Sequence, residues 1–185
     1  FINNKNSDEP GGGIYADFDA VANITSEQRN CAWSQLCSLI DNNTATNGGA
    51  IAIEERAQVK IIGSELKGNR ATSSGSVAHL FDDDTSLIIE GSLIHHNGGV
   101  DHTEFSDFYL IRNSFGNNSI TVAYSTIVDN QAQFASINSH NGSDGNLQLF
   151  GSIIDDPGVA AVSVPSTALN GDAQCNILGN DASVS

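Results

Sequence analysis

The chain has 185 residues, enough for one ordinary domain or a short run of a repeat array. Gly is abundant at 18, Pro is scarce at 3 and Met is absent, a mix that favours turn-rich β structure over long helices. Acidic residues outnumber basic ones 22 to 7, and the net charge of −15 excludes nucleic acid and anionic membrane surfaces, which need basic patches.

The charge suits a soluble extracellular protein, and Ca²⁺ is the one cofactor it suggests. No apolar run reaches membrane-spanning length, so no membrane insertion is expected within this segment.

Internal periodicity organises the chain. Phe1-Ile-Asn-Asn4 followed by Gly11-Gly-Gly-Ile14 reads as the end of one repeat and the start of the next. Residues 1–185 are therefore expected to form a single domain that begins in mid-coil, a fragment of a longer solenoid. An insertion follows between Ile24 and Ser38. Thr25 and Gln28 have capping-box spacing, so a short helix is expected near residues 26–36, with Trp33 packing it onto the body. Cys31 and Cys37 are close enough to staple this insert in an oxidising compartment. Cys175 is left over, either a buried small residue or paired with something outside the segment. The three cysteines lack metal-ligand spacing.

From here four segments align without gaps: Val59 to Asn69, Leu87 to Asn97, Ile120 to Asn130 and Leu147 to Pro157. Their pattern is apolar-x-apolar-x-x-Ser-x-[Leu/Ile]-x-x-Asn, and it recurs after 28, 33 and 27 residues. An upstream copy runs from Cys37 to Asn43. Each copy is preceded by a short alternating stretch, such as Gly49 to Ile53 or Gly75 to His79. Period-two alternation in runs this short predicts strands, roughly three per repeat, which must coil into stacked rungs to bury a core.

In stacked rungs equivalent residues lie above one another about 4.8 Å apart. Ser38, Ser64, Ser92, Ser125 and Ser152 should form one inward column at a corner. Asn43, Asn69, Asn97 and Asn130 should form a hydrogen-bonded ladder that Pro157 interrupts. The predicted fold is all-β: a right-handed parallel β-helix of about five to six coils.

The sequence Gly48-Gly-Ala-Ile51 with Ser64-Glu-Leu66-Lys-Gly-Asn69 resembles the repeat of the polymorphic outer-membrane proteins. It is also similar to large bacterial surface β-helix proteins, including those with the CSLREA segment, all of the pectate-lyase-like β-helix superfamily. The resemblance covers most of the chain and decays after Pro157. It implies a bacterial protein that is secreted or exposed at the cell surface or outer membrane. It also implies an adhesin-like scaffold role, with a glycan or a host or cell-surface protein as partner.

The enzyme alternative comes from β-helices that bind or cleave polysaccharides. If the rungs are in register, Asp41, Lys67 and His95 stack on consecutive coils and could supply an acid and a base to one sugar. The bland reading is that they are solvated turn residues; the Asp, Gly-His-Gly and Arg-x-Lys elements of pectin-cleaving enzymes are absent. Asp82, Asp83 and Asp84 are the densest acid cluster and the weak Ca²⁺ candidates, on a loop tip. The histidines (His79, His95, His96, His102, His140) lack zinc-type spacing, and the adjacent pair is expected to point in two directions. Asn141 to Asn146 reads as a turn or protruding loop. No His or Asp is placed to activate Ser64 or its column. The balance leans against catalytic activity, and no cofactor other than Ca²⁺ is expected.

Overall fold

The computed structural model describes residues 1–5, 9–26, 38–99, 109–114, 116–139, 146–164, 175–179 and 183–184. Almost all of the insertion near residues 26–36, with Gln28, Trp33 and the Cys31–Cys37 pair, lies outside them, as do Phe108, His102, His140 and 141–145. No helix occurs among the described residues.

Short apolar-alternating runs become short strands, and each pairs with its counterpart one coil away rather than with its chain neighbour. The first sheet stacks Ile14–Ala16, Ile51–Ile53, Ala78–Leu80, Tyr109–Asn113, Ala135–Ser139, Ala160–Val164 and Ser183–Val184. The second stacks Val21–Thr25, Gln58–Ile62, Ser86–Glu90, Ser119–Ala123 and Asn146–Phe150. The third stacks Ser38–Asp41, Ser64–Lys67, Leu93–His95, Thr126–Val128, Ile153–Asp155 and Ile177–Leu178. All pairings are parallel. Such stacked parallel sheets fit a β-helix or solenoid. A fourth, two-stranded sheet (Thr44–Asn47 with Arg70–Ser74) adds a strand to two successive coils that the repeat pattern did not announce.

Register puts like on like. Val59, Leu87, Ile120 and Leu147 lie in one line, and Ile40, Leu66, Ile94, Ile127 and Ile154 in another. Together with Ile51, Ile61, Leu80 and Ile111 they make one continuous buried core along the stack. The Gly-Gly of the repeat has a steric cause. Gly48 sits at φ +62°, and a Cβ on Gly49 would lie 2.2 Å from the Arg70 carbonyl oxygen.

The Asn ladder is directional. Asn43 donates its backbone N–H and its side-chain amide to Oδ1 of Asn69, at 3.1 and 2.9 Å. Asn69 does the same to Asn97, and Asn97 to Asn130. The remaining amide hydrogens go to backbone carbonyls, as from Asn69 to Ile40 and from Asn97 to Leu66. Two ends were unforeseen. Asn4 adds a rung by donating to Asn43. At the far end the ladder is not interrupted by Pro157: Asn130 donates to Asp156 Oδ1. The corner residues Asn42, His96 and Asp129 precede their ladder residues at φ near 55°. Asp155 has no such residue after it, so the rung moves up by one to Asp156.

The Ser column works by the same logic. Ser64, Ser92 and Ser125 each donate a backbone N–H to the next serine Oγ, at 3.1 to 3.2 Å. The hydroxyls of Ser64, Ser92, Ser125 and Ser152 each donate to the carbonyl two residues back. Ser38 is in register with Ser64, but its hydroxyl bonds Thr25 O at 3.3 Å. Asn176 closes the column by accepting from Ser152 N–H at 2.8 Å.

Candidate functional site

Alternation along Ser64–Lys67 buries Ser64 and Leu66 and leaves Glu65 and Lys67 on the outer face. Pairing then puts Asp41 beside Lys67 and Lys67 beside His95 on consecutive strands of the third sheet. Val128 and Asp155 continue the line. An acid, an amine and an imidazole thus occupy neighbouring positions at about the 4.8 Å strand spacing.

The Lys67 and His95 side chains converge on a residue outside the expected set. His95 Nε2 lies 2.8 Å from Glu65 Oε1, and Lys67 Nζ lies 3.3 Å from the same oxygen. Glu65 stands two residues before Lys67, so the alternation that exposed Lys67 was also its signal. Partial burial pushes the Glu65 carboxyl up. Hydrogen bonds from His95 and Lys67, and their charges, outweigh this and leave it below the usual carboxylate value. The ion pair of Lys67 is with Glu65 rather than Asp41. Asn42, which follows Asp41, lies across Gly68, where a Cβ would meet its Oδ1 at 2.4 Å.

The adjacent histidines do not point in two directions. His96 occupies the left-handed corner at φ 54°, which breaks strand alternation and turns its ring back toward its neighbour. His95 Nδ1 and His96 Nδ1 are 2.6 Å apart, with the rings at 82° to each other.

The Ca²⁺ candidates behave differently. Asp82, Asp83 and Asp84 are exposed at the turn between the first and second sheets. Asp82 and Asp84 have φ of 61° and 62°. Asp83 Oδ1 lies over Gly116 of the next coil, 2.2 Å from where a Cβ would stand. Among the described residues no three His, Cys, Asp or Glu side chains are grouped to hold a metal ion.

Among the described residues His79 is the buried histidine. It sits in mid-strand in register with Ala52 and Arg112, with Nε2 against Ser114 Oγ and its ring 3.7 Å from that of Phe81. Burial, with the nearby Arg112 charge, pushes its pKa down to about 3. Of the two alternatives for Cys175 the buried one does not hold: its thiol is free and exposed, at a left-handed corner before Asn176. Tyr15 donates to Glu54 Oε2 at 2.7 Å, and Tyr109 faces Phe134 at 6.1 Å. Phe1, Ile14, Ala22 and Ile24 help line a hollow of about 410 Å³ beside the first coil, away from the Glu65 cluster.

Comparison with family models, with curated proteins and with solved structures returned no match. Among the described residues no helix is long and apolar enough to cross a membrane.

Proposed function

We propose that this chain is a scaffold segment of an extracellular or cell-surface β-helix protein, presenting its outer faces to a partner without catalysis of its own. The observation that carries this reading is the commitment of Glu65. The carboxylate beside the imidazole is already paired with His95 and Lys67 in a cross-strand cluster, 2.8 and 3.3 Å away. A general acid or base needs a free proton-transfer route to substrate. The repeat's likeness to polymorphic outer-membrane and CSLREA-type surface proteins supports a bacterial surface location and an adhesin-like role. The coils are proposed to wind right-handed, the hand of about 98% of parallel strand crossovers.

A second reading, a polysaccharide-binding or polysaccharide-cleaving module, draws on the Asp41, Lys67 and His95 line. A glycan-array screen with and without Ca²⁺, repeated on Lys67→Ala and His95→Ala, separates the two. The scaffold reading expects no turnover of any polysaccharide and no change in partner binding in either variant. Turnover abolished by either substitution would sink it.

A further inference from the structure

The histidine corner has a geometry that the scaffold role does not require. The Glu65 carboxylate, 2.8 Å from His95 Nε2, can only accept hydrogen bonds, so His95 must present Nε2–H to it. In the neutral imidazole this leaves a lone pair on His95 Nδ1, aimed at His96. The 2.6 Å contact then requires His96 to donate from Nδ1. The order is His96 Nδ1–H to His95 Nδ1, then His95 Nε2–H to Glu65. A carboxylate that fixes one imidazole nitrogen so that the other can ligate is the usual outer-shell arrangement of metal-bound histidine.

We propose that the Nδ1 atoms of His95 and His96 form a two-nitrogen site for a planar-coordinating late transition-metal ion, Cu²⁺ before Ni²⁺, with water completing the coordination. Two observations select this class. Among the described residues two protein ligands converge, which suits an ion that shares its plane with water better than the closed tetrahedral set of structural zinc. The spacing also fits. Nitrogen bonds of about 2.0 Å place neighbouring ligands of a planar ion about 2.8 Å apart, and those of a tetrahedral ion about 3.3 Å apart. The 2.6 Å contact is set by the shared proton, and once that proton leaves the rings need part by only a few tenths of an ångström to reach the planar value. Binding moves the His96 proton from Nδ1 to Nε2 through solvent, so no net proton is released. The site is independent of whether the face binds a glycan or a protein.

The test is titration of the intact chain with Cu²⁺, Ni²⁺ and Zn²⁺ salts, followed by calorimetry and, for Cu²⁺, by electron paramagnetic resonance. One Cu²⁺ should bind with a two-nitrogen hyperfine pattern and more tightly than Zn²⁺. His95→Ala and His96→Ala should each lose at least tenfold in affinity, together with that pattern. Glu65→Gln should weaken binding about tenfold, as expected when an outer-shell partner is lost. A second arm needs no substitution: substoichiometric Cu²⁺ should broaden the NMR ring signals of His95 and His96 and spare those of His79. Equal affinity in the two alanine variants, broadening centred elsewhere, or Zn²⁺ binding more tightly than Cu²⁺ would overturn the proposal.

Discussion

Asn130 sends both its backbone N–H and its side-chain amide to a single oxygen, Oδ1 of Asp156, at 2.8 and 2.9 Å. The other carboxylate oxygen accepts from Ser136 Oγ. One buried side chain thus satisfies three buried donors. Asp156→Ala strands the Asn130 N–H and the Ser136 hydroxyl, leaves the Asn130 amide only its bonds to the Ile94 and Val128 carbonyls, and is expected to cost about 3 kcal/mol, each orphaned group costing about 1–3. Asp156→Asn keeps Oδ1 and should cost under about 1.5 kcal/mol. Urea unfolding midpoints of the two variants check the difference.

Position along the ladder should grade the effect of losing a rung. Asn97 is fully buried and bonded on both sides, whereas Asn4 is exposed at the end. Asn97→Ala is expected to cost about 2–4 kcal/mol and Asn4→Ala under about 1. Equal losses in thermal unfolding would mean the ladder does not act through burial.

These columns were legible in the sequence because in-register parallel pairing turns spacing directly into stacking. Counting back from each Asn also placed Asp41, Lys67 and His95 side by side. What escaped is what a gapless alignment cannot represent. The last coil drops its corner residue, so Asp156 rather than Pro157 meets Asn130. The clue was that proline has no N–H, while each Asn rung also donates from its own backbone. His96 escaped because alternation assumes strand dihedrals, and φ 54° is not one. Glu65 lies on the same outward alternation as Lys67, two positions farther from the ladder.

Stability should depend on pH through His79. Its folded pKa of about 3 lies below the ordinary value of 6.5, so below that value the unfolded chain binds a proton that the native chain refuses. The contribution is complete above about pH 6.5 and is lost progressively as pH falls toward 3. His79→Leu should flatten the stability profile across this window, measured by denaturation at stepped pH, even if it lowers stability at neutral pH.

Tyr124 occupies a left-handed corner at φ 50° where the equivalent positions are Gly63, Gly91 and Gly151, and it is 71% exposed. A bulky residue in this conformation costs about 1–2 kcal/mol, and little burial offsets it here. Tyr124→Gly should leave stability unchanged or raise it by up to about 1 kcal/mol. A clear loss in melting temperature would show that the ring's packing over Gly151 outweighs the strain.

Successive rungs are separated by 39, 26, 28, 33 and 26 residues, yet every junction has the same donor on one side and the same acceptor oxygen on the other. The stack is therefore divisible. Removing residues 69–96 would join Gly68 to Asn97 and leave Asn43 with an equivalent partner, so a chain one coil shorter should still fold. A cut of half that length would leave no matching junction. Length in this molecule is counted in whole coils, and copy number can change by duplication or loss without rewriting a single contact rule.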